Sequence, residues 1–249
     1  MSLVGTGFTL IASSPGLTDA STSPFGVLAG PVSLATSVIT VSNATVASGT
    51  GSTLALITKD AQGNRLTSGG LPVSFTNAGG TSTGVISPTT DMGDGTYTAT
   101  FTGVLAGTAT AIGALVGGSP VTSALPTIDV IPGAVSLARS LVTASATSIP
   151  VGGLSTLTLT AKDAAGNQLT DGGLPVAFTS SGGTSVGLIG PTTDNRNGTY
   201  SATFTGVTIG TPTTIGATIG GNPVTSPLPQ ITVSLLGSPR QMARRGQTD

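Results

Sequence analysis

Gly93-Asp94-Gly95-Thr96-Tyr97-Thr98-Ala99-Thr100-Phe101-Thr102-Gly103 reads as a turn that runs straight into a strand. Asp94 offers a short carboxylate that can accept from its own backbone two residues on, and the glycines beside it tolerate positive φ. From Thr96 the residues alternate, Tyr97, Ala99 and Phe101 falling on one face and Thr98, Thr100 and Thr102 on the other. A period of two with one apolar and one hydroxylated face is the pattern of a half-buried β-strand. The stretch returns as Asn197-Gly198-Thr199-Tyr200-Ser201-Ala202-Thr203-Phe204-Thr205-Gly206, with Tyr200 lying 103 residues after Tyr97. The chain is therefore a tandem array of one β module.

Outward from Tyr97 the repeat can be followed in both directions. Val38 to Val41 and Thr53 to Lys59 read as strands, the latter with Leu54 and Leu56 facing inward. The turn Asp60-Ala61-Gln62-Gly63-Asn64 and the segment Leu71 to Thr76 follow, with Val73 and Phe75 on one side. Val85-Ile86, the Tyr97 strand, Thr108 to Val116 and a last strand ending at Ile131 complete about seven strands. The second copy repeats each of them, from Leu157 and Leu159 through Val176 and Phe178 to Ile215, Ala217 and Ile219. Short strands spaced by Gly, Asn, Asp and Pro turns predict an all-β fold, a sandwich of two antiparallel sheets in each copy. The boundaries expected are 1–31 for the closing strands of an incomplete preceding repeat, 32–131 for repeat 1, 135–233 for repeat 2 and 237–249 for a flexible basic tail. Short linkers containing Pro31 and Pro132 predict an elongated array with limited bending.

Composition narrows the function. Only 7% of residues are charged and 3% aromatic, with no Cys, His or Trp, and all the acids are Asp. The mean hydropathy of +0.38 reflects scarce charge, since no run approaches the roughly 20 apolar residues of a membrane helix. Membrane insertion is therefore not expected. A net charge of −1 supplies no field for nucleic acid. Met1-Ser2-Leu3-Val4-Gly5 lacks the basic start of a secretory signal, so the expectation is an internal piece of a longer protein or a chain not exported by that route.

Catalysis is hard to build without His or Cys, so no catalytic residue is nominated and the chain is not expected to be an enzyme. Asp60 and Asp163 stand at equivalent turns, where hydrogen bonds to turn amides are expected. Calcium is the alternative, but it needs six to eight oxygens in one place, and Asp94 becomes Asn197 in the second copy. No metal or cofactor residue is nominated, and no cofactor is expected. Tyr97 and Tyr200, read as opening the penultimate strands, are expected to form tyrosine corners. Lys59 and Lys162 read as solvated charges. Gly117-Gly118 and Gly220-Gly221 read as hairpin turns, and Asn43-Ala44-Thr45 and Asn197-Gly198-Thr199 match the short glycosylation pattern.

Lys59-Asp60-Ala61-Gln62-Gly63-Asn64 and Lys162-Asp163-Ala164-Ala165-Gly166-Asn167 are each followed by a Pro-Val strand ending in Phe-Thr. Thr89-Thr90-Asp91 and Thr192-Thr193-Asp194 each lead into Gly-Thr-Tyr-x-Ala-Thr-Phe. Together these motifs resemble the immunoglobulin-like repeats of the invasin/intimin group of bacterial surface adhesins. The Asp-Gly-Thr-Tyr turn and Ser23-Pro24-Phe25-x-Val27 also resemble filamin-type repeats. The resemblance implies tandem immunoglobulin-like β-sandwiches in a surface-exposed, extracellular protein, acting as a non-catalytic spacer, presenting stalk or adhesion module. Neighbouring repeats, other protein chains and a host or surface receptor are the partners it implies. The alternative is a self-assembling fibre or virion subunit in which residues 8–27 exchange strands with another copy, making a homo-oligomer.

Overall fold

In the computed structural model, which describes residues 4–235, the alternating Thr/apolar segments become strands and the Gly- and Asp-rich segments become turns. β1 (Gly5–Phe8), β2 (Ile11–Ala12), β3 (Ala20–Ser21) and β4 (Phe25–Val27) come first. Repeat 1 supplies β5 (Val38–Val41), β6 (Thr45–Ala47), β7 (Gly51–Ile57), β8 (Val73–Ala78) and β9 (Thr83–Ile86). It continues with β10 (Thr90–Asp91), β11 (Thr96–Leu105), β12 (Thr110–Val116), β13 (Ser119–Pro120) and β14 (Thr127–Ile131). Repeat 2 reproduces all ten, beginning with β15 (Leu141–Ala144), β16 (Ser148–Pro150), β17 (Leu154–Thr160), β18 (Val176–Ser181) and β19 (Val186–Ile189). It ends with β20 (Thr193–Asp194), β21 (Thr199–Thr208), β22 (Thr213–Ile219), β23 (Asn222–Pro223) and β24 (Gln230–Ser234). The chain divides into two compact units between Ile131 and Pro132. The expected basic tail at 237–249 lies outside the described residues.

Each repeat is two five-stranded sheets. In repeat 1, β11 pairs with β7, β7 with β5, and β9 and β10 share the other edge of β11. The opposing sheet has β8 and β14 on either side of β12, β13 closing a hairpin with β12, and β6 on the outer edge of β14. Leaving aside β6 and the short β10 and β13, the order β5-β7-β11-β9 facing β8-β12-β14 is that of a constant-type immunoglobulin sandwich. Gly117 and Gly118 take φ of 59° and 82° in the β12–β13 turn, the positive values that a tight hairpin requires.

The inward positions of the strands form the core. Leu54 and Leu56 from β7, Tyr97 and Phe101 from β11, Ile112 from β12 and Ile128 from β14 are each essentially inaccessible to solvent. Burying a side chain of that size stabilises by about 1.5–3 kcal/mol. Leu157, Leu159, Tyr200, Phe204, Ile215 and Ile231 occupy the same places in repeat 2.

Two details differ from the sequence expectation. Three further strands follow β11, so Tyr97 and Tyr200 do not open penultimate strands. Strands β6, β10 and β13 were not anticipated: each has two or three residues, too few for alternation to register. Residues 5–27 make a nested hairpin in which β1 pairs with β4 and β2 with β3. No residue of that hairpin enters the repeat 1 core.

Candidate functional site

The features that distinguish these sandwiches from generic ones lie where the chain enters and leaves each repeat. Asp60 follows β7, is 2% exposed, and is bridged to Val32. Its Oδ2 accepts from the Gly30 amide at 3.0 Å and from Asn64 Nδ2 at 2.9 Å. Its Oδ1 accepts from the amides of Gln62 at 3.0 Å and Asn64 at 2.9 Å. The Asn64 side chain foremost, helped by the Gly30, Asn64 and Gln62 amides, holds the carboxyl at about 2, against the opposing effect of burial. In repeat 2, Asp163 accepts from the Gly133 amide at 2.9 Å and from Asn167 through both its amide (2.9 Å) and its side chain (2.8 Å). Each carboxylate thus ties the backbone just ahead of a sandwich to a turn inside it.

The way out is built from backbone. β6 runs parallel to β14, pairing Thr45 with Asp129, Val46 with Val130 and Ala47 with Ile131. The Asp129 amide donates to Ala44 O at 2.8 Å and the Ser48 amide to Ile131 O at 2.9 Å. β16 and β24 repeat the pairing over Ser148–Pro150 and Thr232–Ser234. A leading strand and a closing strand lie side by side, pointing the same way.

Tyr97 is 1% exposed, and its hydroxyl accepts from the Leu71 amide at 3.0 Å. Tyr200 does the same for Leu174 at 2.9 Å. This corrects the tyrosine-corner expectation. The ring is buried as expected, but the hydroxyl reaches 26 residues upstream to the segment ahead of β8, and not to the corner next to its own strand.

Three further acids are local fasteners. Asp91 accepts from the Gly70 and Gly93 amides at 2.6 and 2.8 Å. Asp194 accepts from Gly173 and Arg196 at 2.7 and 2.8 Å, bonds that hold its carboxyl below the ordinary range. Asp94 is lowered too, by the Thr96 hydroxyl first, then the Thr96 amide and the charge of Arg65, with which it pairs at 2.6 Å. Asp91 and Asp94 are therefore committed to separate partners, and among the described residues no three acids cluster. A cleft of about 260 Å³ lies against the hairpin, lined by Val4, Gly5, Val27, Leu28, Arg65 and Thr67. Its one charged group is the exposed guanidinium that already pairs with Asp94.

A family model described as invasin, domain 3, matches residues 33–133 and again 136–234. The chain belongs to the invasin domain 3 family. Its two family repeats coincide with the two sandwiches whose core clusters are separate. Among solved structures, the Escherichia coli adhesin FdeC is 28% identical, with 87% of this chain aligned to 70% of that one at a TM-score of 0.53. Invasin, described as a bacterial integrin-binding protein, is 22% identical with a TM-score of 0.54, a likeness of fold. It aligns over 93% of this chain, which spans only 46% of the invasin structure. A filamin domain, from Lin-41, also matches, over 42% of this chain. No curated protein matches significantly.

Proposed function

We propose that the two invasin domain 3 repeats are a non-catalytic spacer in a bacterial surface adhesin, carrying tension between an attachment point and a binding element. The observation that carries this reading is the parallel pairing of β6 with β14 and of β16 with β24. Tension applied through the two ends of a sandwich pulls parallel neighbours in opposite directions along their length. Their hydrogen bonds are then loaded together in shear, where an antiparallel pair joined by a turn would open one bond at a time. Asp60 on Gly30 and Asp163 on Gly133 fit the same role, since they fix the point at which the chain joins each sandwich. The adhesins FdeC and invasin among the relatives favour a cell surface over a virion.

A bead assay separates spacer from receptor-binding module. Beads coated with this chain should adhere to mammalian cells no better than beads coated with an unrelated immunoglobulin-like domain. Saturable adhesion that soluble chain competes away would replace the spacer reading with a receptor-binding one.

A second reading concerns residues 5–27. Phe25 and Ile11 are 40% and 67% exposed, whereas Ile128 and Ala114, their counterparts one repeat later, are buried. We propose that this hairpin is the counterpart of β12–β14 from a preceding sandwich, its apolar side built to be covered by further strands. Deletion of residues 1–29 tests the strand-exchange form of this reading. Oligomers that vanish on deletion support it, and a monomer both before and after deletion removes it.

A further inference from the structure

Set in register 103 residues apart, the two repeats hold their exit strands in the same way. Besides the pairing with β6, the Val130 amide donates to the buried Ser82 hydroxyl at 2.9 Å, and Val130 O accepts from the Gly107 amide at 3.1 Å. Ser185 and Gly210 do the same for Val233, at 3.0 and 3.1 Å. β14 and β24 are thus gripped on both edges. The copies differ at the other partner of the pair, in the turn that trails the leading strand.

That turn is Ala47-Ser48-Gly49-Thr50 in repeat 1 and Pro150-Val151-Gly152-Gly153 in repeat 2. Its backbone is alike in both: Gly49 and Gly152 take φ of 85° and 77°, and their amides donate to Gly103 O and Gly206 O at 2.9 and 2.8 Å. Its side chains are not alike. The Ser48 hydroxyl donates to Val104 O on β11 at 3.0 Å, and the Thr50 hydroxyl to Ala47 O at 2.7 Å. Their counterparts, Val151 and Gly153, have no hydroxyl. Val151 is 54% exposed, and a Cβ on Gly153 would meet the Pro150 ring. Ahead of β5, Thr36 Oγ1 donates to Asp60 O at 2.6 Å, and the counterpart of Thr36 is the exposed Arg139. Repeat 2 therefore lacks a hydroxyl at three positions where repeat 1 uses one to fasten its leading segment.

These bonds lie where the load passes. Tension drags β6 toward its N-terminal end while β14 is drawn the other way, so β6 slides only by pulling its trailing turn off β11. Ser48 resists that movement in repeat 1, and Val151 offers no equivalent in repeat 2. Each hydrogen bond that must break before the strand moves slows opening several-fold. We propose that the two repeats yield in a fixed order under tension, repeat 2 opening first while repeat 1 stays folded. This rests on the tension-bearing reading above and adds a staged response to it. Opening repeat 2 releases roughly 300 Å of chain before repeat 1 gives way, which eases the pull on whatever the adhesin holds.

The test is the full chain held at constant force through cysteines added at its two ends. It should lengthen in two main steps, the first with a rate about tenfold or more above the second. Giving repeat 2 the other turn, through Pro150→Ala, Val151→Ser and Gly153→Thr, should slow the first step and leave the second unchanged. Ser48→Val with Thr50→Gly should speed the second step alone. Val151→Ser is a single exposed substitution that keeps Pro150 and Gly153 in place, and it should slow the first step about threefold even if the triple variant folds poorly. Equal rates for the two steps would overturn the proposal, and so would a transplanted turn that acts on the slower step. The absolute force tests the spacer separately: two low-force steps of unequal rate would uphold the order of opening and contradict the tension-bearing role.

Discussion

At the scale of single residues, a few side chains hold segments that the strands alone would leave loose. Removing the hydroxyl with Tyr97→Phe keeps the buried ring and strips the Leu71 amide of its acceptor. A loss of about 1–2 kcal/mol is expected in denaturant melts. Arg196 is the one non-glycine residue at positive φ among those described, at 59°, where repeat 1 has Gly93 at 76°. Arg196→Gly relieves that backbone and should stabilise repeat 2 by about 1 kcal/mol. The carboxyl of Asp60 is held at about 2, below its ordinary 3.8. A depressed folded value means that its stabilisation is complete above the unfolded value and disappears as pH falls through the folded one. Melting temperature should therefore be flat from about pH 5 to 7, where a chain without histidine has nothing to titrate, and should fall between about 4 and 2. Asp60→Ala should melt lower at neutral pH and lose part of that acid slope, and an unchanged slope would remove Asp60 from the explanation.

At the scale of elements, legibility follows length and locality. The Tyr97 strand, Leu54 and Leu56, and the Ile112–Ala114–Val116 series are readable because alternation persists for several residues, and each lands in the core. Gly63, at φ 86°, takes the turn expected of it. β6 is not readable: three residues, Thr45 to Ala47, are identified as a strand only by a parallel partner more than eighty residues away. The Tyr97 hydroxyl was expected to bond backbone close by, but tertiary packing decides its partner, and nothing near Tyr97 names Leu71. The reach from Asp60 back to Gly30 is hidden in the same way, although the turn itself is plain from Asp60, Gly63 and Asn64.

At the scale of the whole molecule, function rests on duplication. Two repeats with the same strand limits carry the same Asp–Gly fastening and the same parallel closing pair. A cysteine-free chain lets the direction of pulling be chosen residue by residue. The deciding measurement is single-molecule unfolding of repeat 1 between two pairs of introduced cysteines. Handles at Pro31→Cys and Gly133→Cys load β6 against β14 in shear, whereas handles at Thr50→Cys and Gly133→Cys pull the ends where the two strands finish together. A tension-carrying spacer is expected to resist the first pair at several times the force that opens the second. Equal, low forces for both pairs would contradict it.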